Sequence, residues 1–319
     1  MALVFRGATP YCYANSLAMV MGSAAAAPAP PPSALEVLTG SPFGAQWEEN
    51  GLPFFDPPGW DPDLGLDRAL DLLGWTCRST GGGDGAAAVR RLRDATRSGP
   101  ALVGPVDMGL LLHQPGAAGT ADGTDHWVVV LAVEGDEVVF HDPEGFPFVT
   151  LPVAAFVAAW NSCEVRFARP FTLRSEFRRV REVDILDAVR NSLPAARRWV
   201  SGGGPDSGFR TRGDAGRGPS GAVEQLADRV RAGLDDRTRA HLVDFAVRVG
   251  TRRLADASYW LAEAGARDAA GIADRQARLL GGAQYHLVAG DTETAAAALR
   301  QLAGTYGEMG AALGEPSGR

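Results

Sequence analysis

Hydrophobic positions change their period twice along this chain. After Thr9-Pro10, Leu17, Val20 and Met21 return at helical spacing up to Gly22, predicting a first helix that opens near Cys12. Ala24 to Pro32 (AAAAPAPPP) reads as a stiff connector, and a short helix follows around Ser33–Leu38. The stretch SPFGAQWEENGLPFFDPPGWDPD (41–63) has no period but is rich in aromatics, which predicts an ordered loop wall. Helices are expected at Leu66–Leu73 and Ala86–Ser98, with the flexible TGGGDG between them. From Pro100 the period becomes that of strands: Ala101–Gly104, the β-branched run His126–Val133, a turn at Gly135-Asp136, then Glu137–His141 and Phe146–Leu151. A helix is expected at Val153–Trp160.

Beyond Leu173 the pattern reads as helical throughout, beginning with Asp184–Ser192. Ser201–Gly221 carries no apolar period and reads as a flexible loop. Leu242, Phe245, Ala246 and Val249 then mark one helix face, and Leu299, Leu302, Tyr306, Met309 and Leu313 another. Gly290 followed by Asp291-x-x-Thr294 reads as a helix stop and a cap. The expected fold is α+β, with one domain over 1–172 and a mostly helical one over 173–319, its loop at about 201–221.

Composition narrows the function. With 319 residues, 45% hydrophobic and 22% charged, each half can bury its own core. All 31 basic residues are Arg, and the net charge is −7. Residues 1–172 hold 9 Arg against 19 acids, and residues 173–319 hold 22 against 19. That balance argues against a general nucleic-acid binder. No apolar run reaches the roughly 18 to 20 residues needed to span a bilayer, and the opening MALVFRGATPY lacks a secretory pattern, so a cytoplasmic, membrane-free protein is expected. Cys12, Cys77 and Cys163 are too few for a disulfide framework or a zinc site, and no metal is expected.

Candidate chemistry centres on Cys12. A thiol at a helix N-terminus feels the positive end of the macrodipole, which favours thiolate. His126 opens one strand and Asp142 ends its hairpin neighbour, so the turn brings imidazole and carboxylate side by side. A strict two-residue turn would put them on opposite faces, so this pairing requires a bulge, a longer turn or a bend after His141. A carboxylate fixes the tautomer of a histidine, and a histidine beside a thiol can take its proton. Asp125, adjacent to His126, is the alternative carboxylate.

Several segments resemble the butirosin-biosynthesis H-type domain, a distant relative of the bacteriocin-processing papain-like peptidases. They are Tyr11-Cys12-Tyr13-Ala14-Asn15-Ser16-Leu17, Glu36-Val37-Leu38-Thr39-Gly40, His126-Trp127-Val128-Val129-Val130 and His141-Asp142-Pro143. The resemblance spans about residues 1–165. It implies a papain-like cysteine-enzyme domain with Cys12, His126 and Asp142 as its triad, followed by a helical region. It further implies acyl transfer from a carrier-protein thioester, phosphopantetheine-linked, through Cys12 to a small-molecule amine, or else cyclisation or hydrolysis of the acyl chain. No bound cofactor is implied. Arg6 stands where papain-like peptidases carry a Gln for the oxyanion hole, which argues against ordinary proteolysis. Arg6 and Asn15 are candidates for the second oxyanion donor. A non-catalytic binding protein of the same fold is the reading from a different class.

Other residues carry weaker signals. Tyr11, Tyr13, Trp47, Phe54, Phe55, Trp60 and Trp127 are candidate walls of an acyl pocket. His141 is expected on the face opposite Asp142 in a structural role, and His113 as a solvated loop histidine. Cys77 and Cys163 read as buried apolar residues. Asp56, Asp61, Asp63 and Asp67 lack the glycine and terminal glutamate of a calcium loop. Arg174, Arg178, Arg179 and Arg181 read as a solvated helix face or as a landing site for an acidic carrier protein.

Overall fold

The computed structural model describes residues 10–24, 28–47, 51–161, 167–203 and 218–314. The first half runs α1 (Cys12–Ala24), α2 (Pro32–Thr39), β1 (Gln46–Trp47), β2 (Pro53–Phe54), α3 (Pro62–Leu72), β3 (Trp75–Thr80), α4 (Gly85–Ser98), β4 (Ala101–Asp107), β5 (Asp125–Glu134), β6 (Glu137–Asp142), β7 (Phe146–Pro152), α5 (Val153–Trp160) and β8 (Leu173–Arg179). The second half is α6 (Ile185–Val200), α7 (Gly218–Ala232), α8 (Asp236–His241), α9 (Val247–Glu263), α10 (Arg267–Ala289) and α11 (Thr292–Ala312). The fold is thus mixed α/β. Among the described residues, no helix is long and apolar enough to cross a membrane.

The chain divides into two compact units, residues 1–35 with 73–182, and residues 36–72 with 183–319. The boundary expected at 172 therefore falls at 182 instead, and the aromatic stretch 41–63 belongs with the helices. The first unit is built on one antiparallel sheet in the order β3-β8-β4-β5-β6-β7. Val128, Val130, Val138 and Phe140 pack with Ala88 and Leu92 of α4 and Phe156 and Trp160 of α5 in a continuous core. β5 is buried from His126 to Val130, where its apolar run packs into this core.

Two of these strands correct the sequence reading. The segment that forms β3 was given no element between the two expected helices, and β8 falls where the pattern reads as helical. Leu-Arg-Ser-Glu-Phe-Arg-Arg has respectable helix propensity, but β8 pairs with β3 on one side and β4 on the other. Pairing on both sides satisfies its backbone and overrides the local preference. Arg174 accordingly lies in a strand and is 2% exposed, so it offers no landing charge, whereas Arg178, Arg179 and Arg181 are exposed.

The second unit is a helical assembly whose core includes Trp199, Leu226, Leu254, Leu280, Leu299 and Tyr306. α6 continues past the expected Ser192 and through Pro194 to Val200. The cap before α11 is as expected: Gly290 has φ 76° and Asp291 accepts from the Thr294 amide. The loop expected at 201–221 lies mostly outside the described residues, and α7 already begins at Gly218. Residues 25–27 of the expected connector and Cys163 also lie outside them. The aromatic stretch is ordered by Arg253 of α9, whose Nε donates to Glu36 at 2.8 Å and whose Nη1 donates to Asp56 at 3.0 Å. Trp60 Nε1 donates to the Thr39 carbonyl at 3.0 Å.

Candidate active site

The hairpin supplies the pairing that the candidate chemistry needs. Along β5 and β6 the partners are Val129↔His141 and Val130↔Phe140, but then Ala132↔Val139, so β5 carries one extra residue. This bulge moves the end of β6 by one position, so that Asp142 falls opposite Val128 rather than Val129. His126, two residues from Val128, then shares a face with Asp142. His126 Nε2 and Asp142 Oδ1 are 2.8 Å apart, with side chains 1% and 0% exposed. Of the two candidate carboxylates, Asp142 is the one that holds the ring. The Asp125 charge raises the Cys12 thiol.

Cys12 begins α1 and remains partly exposed. The His126 side chain and the Trp127 backbone are the neighbours that favour its thiolate form. Since His126 Nε2 faces Asp142, Nδ1 is the nitrogen left for the thiol. α1 packs along β5, and Ser16 Oγ donates to the Trp127 carbonyl at 3.1 Å.

The charges form a graded series. Burial pushes the Cys12 thiol up, His126 and the Trp127 amide pull it down, and the net shift is upward. Burial works against the His126 imidazolium, but the Asp142 charge and hydrogen bond, with help from Cys12, hold it well above the ordinary imidazole value. Asp142 would be raised by burial, yet the His126 charge and the donors around it hold it well below the usual carboxylate range. Asp142 is thus held toward its carboxylate form, His126 toward imidazolium and Cys12 toward the thiol. Loss of one proton from the Cys12–His126 pair leaves a thiolate beside an imidazolium, which is a nucleophile with an acid already in place.

Two further residues join this site, one read in sequence as a solvated loop histidine and one not singled out. His113, expected in solvent, has a side chain only 8% exposed, with Nε2 2.7 Å from Asp142 Oδ2. Gln114 Nε2 donates to the same oxygen at 2.7 Å. They sit in the loop between β4 and β5, which Asp107 ties down by accepting from the amides of Gly109, Asp122 and Gly123 at 2.9 to 3.2 Å. Asp107 is fully buried. A buried loop-end aspartate followed by a histidine-glutamine pair was the available signal, but the loop has no period to place it.

The remaining candidates separate. Asn15 is 2% exposed and its Nδ2 donates to the Tyr11 carbonyl at 2.8 Å, so this amide hydrogen bond stabilises the first turn of α1. Arg6 lies outside the described residues. Tyr11, Tyr13 and Trp127 are buried, and Tyr13 meets Trp127 edge-on at 5.8 Å. Trp47, Phe54, Phe55 and Trp60 belong to the other unit, where Phe55 is part of the core. There Asp56 binds Gln46 and Arg253, and Asp61 caps α3 through the Leu64 amide. His141 accepts from the Phe148 amide through Nδ1 at 3.0 Å, a structural bond. Cys77 is half-buried on β3.

Residues 215–314 match the family model of the YobF C-terminal domain. The chain is also 34% identical over 168 residues to the uncharacterized protein YobF of Bacillus subtilis (strain 168), a match covering 52% of this chain and 53% of that protein. The chain thus spans about half the length of the curated relative it matches.

Proposed function

We propose that this protein is a cysteine-dependent acyl-transfer enzyme of bacterial specialised metabolism, with Cys12 as nucleophile, His126 as acid and base, and Asp142 as the orienting carboxylate. The observation that carries this reading is a buried carboxylate hydrogen-bonded to His126, whose side chain acts in turn on the thiol of half-buried Cys12. A merely structural cysteine would not have an imidazole held against it by a buried carboxylate. The sheet unit is read as papain-like on the same grounds.

In the first half-reaction the Cys12 thiolate attacks the carbonyl of a thioester donor. The new S–C bond forms, the donor C–S bond breaks, and the His126 imidazolium protonates the departing thiolate. An acceptor amine then attacks the acyl-enzyme, neutral His126 takes the proton that the amine loses, and Sγ leaves as thiolate. A base so placed contributes about 10² to 10⁴ in rate. Hydrolysis or cyclisation would share the first half-reaction and differ only in the second nucleophile. The donor is read as a phosphopantetheine-linked acyl chain on an acidic carrier protein, for which Arg178, Arg179 and Arg181 offer exposed charge. A reduced thiol is required, which fits a cytoplasmic setting.

The test is intact-mass measurement after incubation with an acylated carrier protein and, separately, a small thioester. The expected result is a covalent acyl adduct on the wild type and none on Cys12→Ala. Absence of an adduct with both donors would overturn the reading. An adduct that turns over with water rather than an added amine would move the assignment to a hydrolase.

A further inference from the structure

We propose that His113 and Gln114 are positioning residues of the candidate triad: both donate to Oδ2 of Asp142, so that the carboxylate presents only Oδ1 to His126. This rests on the acyl-transfer reading for its purpose, but not for its geometry. Each Asp142 oxygen has its own donors. Oδ1 has His126 Nε2 at 2.8 Å and the Glu144 amide at 2.9 Å, while Oδ2 has His113 Nε2 and Gln114 Nε2, each at 2.7 Å.

A carboxylate bound on one oxygen only can rotate about its Cβ–Cγ bond and exchange the oxygen it offers. With donors on both oxygens, rotation breaks four hydrogen bonds at once, so the plane of the group is fixed. The ring of His126 inherits that orientation, and so does the direction of its Nδ1 toward Cys12.

The His113 ring is itself locked. It meets Phe140 and Phe146 edge-on at 5.1 and 5.4 Å, and its Nδ1 is buried with no hydrogen-bond partner among the described residues. An apolar surrounding at Nδ1 favours the tautomer with its hydrogen on Nε2, the one able to donate to Asp142. Gln114 supplies an uncharged donor beside it. The loop that carries both is fastened by Asp107 and by the Met108 amide on the Thr124 carbonyl at 2.9 Å, so the two side chains are delivered by a braced segment.

The experiment compares His113→Phe, which keeps an aromatic ring against Phe140 and Phe146 but has no donor, with His113→Gln, whose amide can reach the same oxygen. Full-length protein carrying ¹⁵N-labelled histidine gives five ring systems, among them His126. At one fixed pH the His126 ring nitrogens are expected to shift in His113→Phe, and the second-order rate of Cys12 alkylation to fall about tenfold or more. Recovery of both readouts toward wild type in His113→Gln would support positioning through the donor. Unchanged His126 resonances and unchanged alkylation in His113→Phe would overturn it. If His113→Phe does not fold, Gln114→Met removes the other donor and is read in the same way. Neither readout needs an acyl substrate, so failure of wild-type acylation would sink the proposed function without deciding this inference.

Discussion

Ser16 Oγ donates to the carbonyl of Trp127 at 3.1 Å, joining the helix that begins at Cys12 to the strand residue next to His126. The bond spans 111 positions of sequence and is fully buried. It ties the helix that carries Cys12 to the strand that carries His126. Ser16→Ala is expected to destabilise the protein by about 1 to 3 kcal/mol in urea unfolding, because a buried acceptor loses its donor. It should also slow Cys12 alkylation while leaving Cys77 alkylation unchanged.

The thiol provides a direct test of the electrostatics. Because the Cys12 value is raised, its alkylation rate should climb with pH and reach half-maximum above the ordinary thiol range. His126→Gln removes the neighbour whose hydrogen bond and charge pull the thiol down, so the half-maximum should move further up. Each unit of displacement would cost about tenfold in rate at neutral pH. Peptide mapping after brief labelling at several pH values checks this, and a downward displacement in the variant would contradict the arrangement described.

Stability should carry a matching signature. Asp142 is depressed in the fold, so its contribution is present above the unfolded carboxylate value near 4 and is lost as pH falls. His126 is raised, so its contribution is present below the unfolded imidazole value near 6.5 and is lost as pH rises through the folded one. The excess stability of the wild type over Asp142→Asn should therefore be greatest between about pH 4 and 6.5. Thermal unfolding across pH 3 to 9 would measure it. A difference that is flat across that range would mean that the pair does not titrate as argued.

In the helical unit, Arg253 is 5% exposed and binds both Glu36 and Asp56. Arg253→Met leaves both carboxyl groups buried without their cation, and the expected loss is about 3 to 5 kcal/mol. Replacing Glu36 and Asp56 by Gln and Asn in the same variant should recover part of that loss. Denaturant midpoints at constant slope are the measurement.

Much of the site was legible because the signals were local. Helical spacing after Pro10 places Cys12 at a helix start, and the HWVVV run with its turn places His126 near Asp142. Whether these two faced each other depended on one extra residue between Val130 and Ala132; alternation called for a bulge, a longer turn or a bend and could not choose among them. His113 and Gln114 were not legible, since their bonds to Asp142 cross 28 and 29 positions from a loop without a period. β8 misled for a different reason. Its charged residues suit a helix, and only its two flanking partners make it a strand.

Those flanking partners also govern when the sheet can assemble. β8 is the last strand to be synthesised, yet it lies between β3 and β4. Within the sheet β3 pairs with β8 alone, and β8 begins at Leu173, about ninety residues after β3 ends at Thr80. At translation rates of about 5 to 20 residues per second, β3 would wait roughly 5 to 20 s for its partner to be made. Cys12 is made before that interval and His126 and Asp142 within it, so all three precede the strand that completes their sheet. A nascent chain released at residue 172 would carry every residue of the candidate triad and still leave β3 unpaired, an open edge able to recruit a neighbouring chain instead.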